Sequence, residues 1–190
     1  MPPRSARAQP LAPAWTPFSP MPRPADVLVP RPRIFFVGIN PSLRSEAVGH
    51  HFAGPGNPFW RLLYEAQLVP EPLRAEDDQR LAEFGLALAN LCPRPTRAAS
   101  ELTAKEYEEG KAALAQKIRA TCPKVVAFVG LTVYQRFFRS KSRGAGAKPE
   151  ILEGARVFVV PNPSGLNATY PGFRDKLVWF ERLREFADEG

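Results

Sequence analysis

At 190 residues with 44% hydrophobic content, the chain suits one domain with a single sizeable core. No apolar run approaches the roughly 20 residues of a membrane-spanning helix, and Met1 to Pro24 lacks the apolar stretch of a signal peptide. Two cysteines and two adjacent histidines are too few for a disulfide framework, a four-thiolate cluster or a structural zinc site. Chemistry without a metal or cofactor is expected, in a soluble, monomeric, cytoplasmic protein (nucleoid-associated if bacterial).

The net charge of +7 favours polyanionic partners. It is unevenly spread: residues 1–33 carry +4, from five arginines against Asp26, and the remainder only +3. Residues 1–32 hold ten prolines and read as a disordered arm, either an inert extension or a grip on phosphates.

A folded domain is expected over 33–187. Ile34 to Val37 is a continuous apolar run ending in Gly38, which predicts a buried strand. Helices are expected over Pro58–Gln67 and Ala75–Glu83, then a strand over Gly85–Asn90. Thr103 and Glu106 form a capping box that opens a long helix to about Ala120. Lys124–Val129 repeats the first strand pattern and is followed by a helix over Thr132–Phe138. Residues 139–148, with Gly144 and Gly146, read as a mobile loop. The last strand is expected over Arg156–Val160 and the last helix over Phe173–Ala187. Apolar strands alternating with helices predict an α/β sandwich of three layers around a largely parallel sheet of four or five strands. Ligands in such folds bind at the carboxyl ends of the strands.

Those ends carry distinctive residues. The first reads Gly38-Ile39-Asn40-Pro41-Ser42, followed by His51-Phe52-Ala53-Gly54 and Asn57-Pro58-Phe59-Trp60. The last reads Pro161-Asn162-Pro163-Ser164-Gly165-Leu166-Asn167. Proline disfavours helix in the residue before it, so Asn40 and Asn162 are held extended and displayed. A turn asparagine satisfying its own backbone is the alternative reading of Asn40 taken alone.

This ordered set resembles the mismatch-specific uracil-DNA glycosylases and thymine-DNA glycosylases, within the wider uracil-DNA glycosylase fold. The resemblance covers residues 33 to about 187. It implies an enzyme that flips a uracil-type base out of mismatched double-stranded DNA and hydrolyses its glycosidic bond, leaving an abasic site. By resemblance, Asn40 holds the attacking water, and Gly38, Ile39, Ser45, His51, Phe52 and Asn162 line the base pocket. Phe52 would stack on the base and Ser45 would lie near its C5 edge; the alternative for Phe52 is a core phenylalanine. Leu166 would wedge into the vacated stack, with Gly165 allowing close approach and Asn167 bonding the partner strand. Trp60 and Phe59 are read as core. Arg136, Arg139, Lys141 and Arg143 lie in a stretch without acids, read either as solvated or as phosphate contacts.

One departure stands out. After the second strand, many relatives carry an acidic residue followed by Arg and Thr; here Pro93 precedes Arg94-Pro95-Thr96. Proline neither activates nor orients water, so a non-catalytic binder of mismatches or abasic sites is the competing expectation. An enzyme of free nucleotides ranks third, because the chain has no Gly-rich phosphate loop.

Overall fold

The computed structural model describes residues 23–165 and 167–189. Its centre is a five-stranded sheet of β1 (Ile34–Gly38), β2 (Leu86–Asn90), β3 (Val125–Val129), β4 (Gly146–Leu152) and β5 (Ala155–Val160). The spatial order is β2-β1-β3-β5-β4, with all neighbours parallel except the β4–β5 pair. The helices are α1 (Leu43–Val48), α2 (Phe59–Glu65), α3 (Ala104–Thr121), α4 (Leu131–Phe138) and α5 (Phe173–Asp188). Two 3-10 segments, Ala75–Phe84 and Ala99–Glu101, complete the elements. This is the expected α/β architecture.

Strand periodicity sorts the core into two layers. Ile34 and Phe36 of β1 face one side with Leu62, Leu63, Phe180 and Leu183 of α2 and α5. Phe35 and Val37 face the other with Leu114, Ile118, Val133 and Phe137 of α3 and α4. Gly110 lets α3 settle on the sheet end, since a Cβ there would lie 2.2 Å from the Leu91 carbonyl oxygen. None of the helices is long and apolar enough to cross a membrane, among the described residues.

Three expectations need correction. The segment 23–32 is not a free arm: Val27 is 1% exposed and exchanges backbone hydrogen bonds with Leu88 at 2.8 and 2.9 Å. Val27 lies in the proline-free stretch between Pro24 and Pro30, so its N–H is available to donate, and it covers the outer edge of β2. Asp26 meets Lys117 at 2.6 Å and Arg23 meets Glu46 at 3.3 Å, and at the other end the Arg31 N–H donates to the Thr121 carbonyl at 2.6 Å, so the segment is tied down at both ends. The expected loop at 146–148 is the start of edge strand β4, where Pro149 is tolerated. The helix expected at 75–83 is 3-10 rather than α. Residues 1–22, which hold most of the expected arm, lie outside the described residues, as does Leu166.

Candidate active site

From β1 the chain crosses to β2 on one side and then returns to β3 on the other, so the carboxyl end of β1 beside β3 is a topological switch point. A cavity of about 260 Å³ opens there. It gathers Gly38, Ile39, Asn40, Ser45, His51, Phe52 and Asn162, seven residues taken from four separate segments. Asn57, Asn90, Thr96 and Arg97 also line it.

Asn40 is held by two acceptors. Its Nδ2 donates to the Arg94 carbonyl at 2.9 Å and to Thr96 Oγ1 at 2.8 Å. A backbone carbonyl only accepts, so the nitrogen side of the amide must face Arg94. Both amide hydrogens are thereby committed, and the group Asn40 has left to offer is its carbonyl oxygen. Thr96 in turn donates to the Ala98 carbonyl at 2.9 Å and is buried. Arg94 is anchored by Glu106, which also caps α3 through Thr103. The Arg94 guanidinium and the Thr103 backbone N–H hold the Glu106 carboxyl down at about 2.

The 51–53 turn is latched three ways. The His51 N–H donates to the fully buried Asp78 at 3.0 Å, and Trp60 Nε1 donates to the His51 carbonyl at 3.2 Å. Ala53 N–H donates to Ser45 Oγ at 3.2 Å. These bonds hold Phe52 at φ 49°, a left-handed conformation that costs a non-glycine residue about 1 kcal/mol. The Phe52 ring stacks on buried Phe59 at 4.0 Å and also lines the cavity, so it serves core and pocket together. Trp60 and Phe59 are core, at 6% and 0% exposure.

His51 is 2% exposed. Burial pushes its pKa down, although the Ala25 carbonyl and Asp78 oppose this. Its Nε2 lies 2.9 Å from the Ala25 carbonyl and must donate there, which leaves Nδ1 as an acceptor.

Asn90 closes the cavity opposite Gly38, its register partner across β1 and β2. A Cβ on Gly38 would meet Asn90 Oδ1 at 2.5 Å and Phe52 Cζ at 3.5 Å. The glycine therefore exists to admit an amide and an aromatic ring. Sequence reading missed Asn90; its signal was a polar residue ending an otherwise apolar strand, level with Gly38.

The loop after β5 folds on itself. Ser164 N–H donates to Asn162 Oδ1 at 2.9 Å, and Asn167 Nδ2 donates to the Asn162 carbonyl at 3.2 Å. Asn167 Oδ1 accepts from the Thr169 and Tyr170 N–H groups, each at 3.2 Å. Asn167 thus spends its amide on loop shape, while Gly165 is exposed.

The basic residues of the 136–143 stretch separate. Arg139 pairs with Glu108 at 2.9 Å and Arg136 sits over the Tyr107 ring, both against α3. Lys141 is exposed. Arg143 lines a second cavity of about 570 Å³ that shares Asn162 and Ser164 with the first.

The model of the uracil DNA glycosylase superfamily matches residues 25–184, a span that includes every residue of both cavities.

Proposed function

The chain belongs to the uracil DNA glycosylase superfamily, and we propose that within it this protein excises uracil from mismatched double-stranded DNA, G·U pairs first. The family indicates a DNA glycosylase acting on uracil-type lesions. Mismatch specificity, with thymine or ethenocytosine as further substrates, is our reading. It is supported by the sequence motifs and by a pocket lined with amides rather than by a tight steric gate.

The observation that carries the reading is the fixed amide of Asn40. With both hydrogens held by Arg94 and Thr96, its Oδ1 is a directed acceptor at the mouth of a cavity of base-sized dimensions. Water bonded to that oxygen attacks C1′ of the flipped nucleotide. The bond from C1′ to the base nitrogen breaks with its electron pair going to the base, and the water proton leaves to solvent. An amide cannot take a proton at neutral pH, so the rate rests on orientation and on stabilising the departing anion. Asn90 suits the second task, because an amide both donates and accepts and so matches the alternating polar edge of uracil. Phe52 offers its free face for stacking. A slow enzyme follows.

A non-catalytic lesion binder is favoured by one observation: no carboxylate lines the cavity, and Pro93 is exposed outside it. The separating experiment incubates the protein with a G·U duplex, then cleaves abasic sites with alkali, beside Asn40→Ala. Strand cleavage lost in the variant supports the glycosylase. Binding without cleavage in the wild type supports the binder.

A further inference from the structure

We propose that the two strand-end cavities form one trough for the damaged DNA strand, with Arg97 and Arg143 gripping the phosphodiesters on either side of the flipped nucleotide. The inference rests on the reading above; it adds Arg97, which neither the motifs nor the family match assigns, and narrows the basic 136–143 stretch to Arg143.

The trough is set apart by its electrostatics. The chain has 19 acidic residues, yet none lines either cavity. Three other cavities on the described surface each include carboxylates: Glu65 in one, Asp26, Glu106 and Glu109 in another, and Glu108 in the third. A carboxylate-free surface bounded by cations suits a polyanion and rejects nothing that carries phosphate.

Among the cations that do not line the trough, Arg94, Arg119, Arg139 and Lys117 are neutralised by Glu106, Glu153, Glu108 and Asp26, whereas Arg44, Arg136 and Lys141 enter no ion pair among the described residues. Arg97 and Arg143 line the trough and enter no ion pair among the described residues. They line different cavities, and the two cavities meet at Asn162 and Ser164. The Arg97 backbone is itself aimed: Glu101 accepts from the N–H groups of Arg97 and Ala98 at 3.1 and 2.9 Å. Beside the second cavity, Lys148 Nζ donates to the Gly144 carbonyl at 2.9 Å and Ala145 N–H to Tyr170 Oη at 3.0 Å, which fixes the loop bearing Arg143. In the cavity that Arg143 lines, Thr132, Gln135 and Tyr170 supply neutral polar groups suited to a sugar–phosphate backbone.

The test measures binding of the full chain to a duplex carrying one tetrahydrofuran abasic analogue opposite guanine, across a salt series. Each phosphate contact contributes about 0.9 to the slope of log affinity against log salt. Arg97→Ala and Arg143→Ala should each lower that slope by about 1, while Arg139→Ala leaves it unchanged. Single methylphosphonate linkages flanking the analogue on the damaged strand should erase the effect of the arginine facing them. Unchanged slopes, an equal loss in Arg139→Ala, or coupling to partner-strand linkages would each overturn the trough. Wild-type cleavage of a G·U duplex is measured alongside. If it cleaves while the slopes stay unchanged, only the trough fails. A wild type that neither cleaves nor prefers the lesion takes the function with it.

Discussion

The amide nitrogen of Asn40 lies 2.8 Å from the hydroxyl of Thr96, 56 residues away in the chain, and that hydroxyl passes its own hydrogen to the Ala98 carbonyl. The pair converts a flexible amide into one with a defined acceptor. Thr96→Val keeps the shape and removes the relay, leaving Asn40 with the Arg94 carbonyl alone. Displacement of a positioned group by about 1 Å costs on the order of 100-fold in rate. We expect the single-turnover rate on a G·U duplex to fall by about 10- to 100-fold, with affinity for an abasic duplex retained. A Thr96→Val enzyme as fast as the wild type would show that the relay does not set the amide.

The support continues one step outward, to the carboxylate of Glu106. Its folded pKa of about 2 lies below the ordinary 4.5, so it binds fewer protons folded than unfolded. Its contribution to stability is complete above 4.5 and fades as pH falls from there towards 2. The melting temperature of Glu106→Gln should therefore sit below that of the wild type by a constant gap at neutral pH. The gap should close as both are acidified. A gap that widened in acid would contradict the Arg94–Glu106 pairing.

Two glycines give opposite outcomes on substitution to alanine. At Gly38 the new Cβ meets the end of a movable side chain, Asn90, at 2.5 Å. The amide can swing away, so the fold survives within about 1 kcal/mol while excision falls at least about 10-fold. At Gly110 the Cβ meets the Leu91 backbone carbonyl at 2.2 Å, and neither the strand end nor the helix can yield. Gly110→Ala should lose about 3 kcal/mol or more of unfolding free energy by denaturant titration. Equal stability losses in the two variants would refute this contrast.

The same contrast marks what the sequence discloses. β1, β2, β3 and β5 are buried on both faces and read as apolar runs interrupted only by Arg156 and the terminal Asn90, so their places were legible. β4 is an edge strand whose residues Ala147, Pro149 and Ile151 face solvent, and its Pro and Lys content resembles a loop. The six residues of α1 are too few to show a helical period, although Ser42 caps it by accepting from the Ser45 N–H. Gly38, Asn40 and Asn162 share one cavity because their motifs sit at strand ends, a rule of topology that applies without coordinates, while His51 and Phe52 reach it from the turn between α1 and α2. Asn90 and Arg97 escaped because their meaning lies in what faces them: a missing Cβ in one case and absent carboxylates in the other.

Histidine 51 supplies the last prediction. Burial is the largest influence on its ring and depresses its pKa below the ordinary 6.5. The unfolded chain takes up a proton as pH drops through 6.5, and the folded one resists until a lower pH. Stability from this residue is thus full above 6.5 and declines below it. In His51→Gln the amide can still donate to the Ala25 carbonyl but does not titrate. The wild type should lose melting temperature between pH 6.5 and 5 that the variant keeps. Excision should follow the same proton, because protonation turns Nδ1 from an acceptor into a donor on a residue that lines the cavity. Its rate is expected to be level above neutrality and to fall on acidification, and a rate that rose below 6.5 would mean that the charged ring, not the neutral one, serves the cavity.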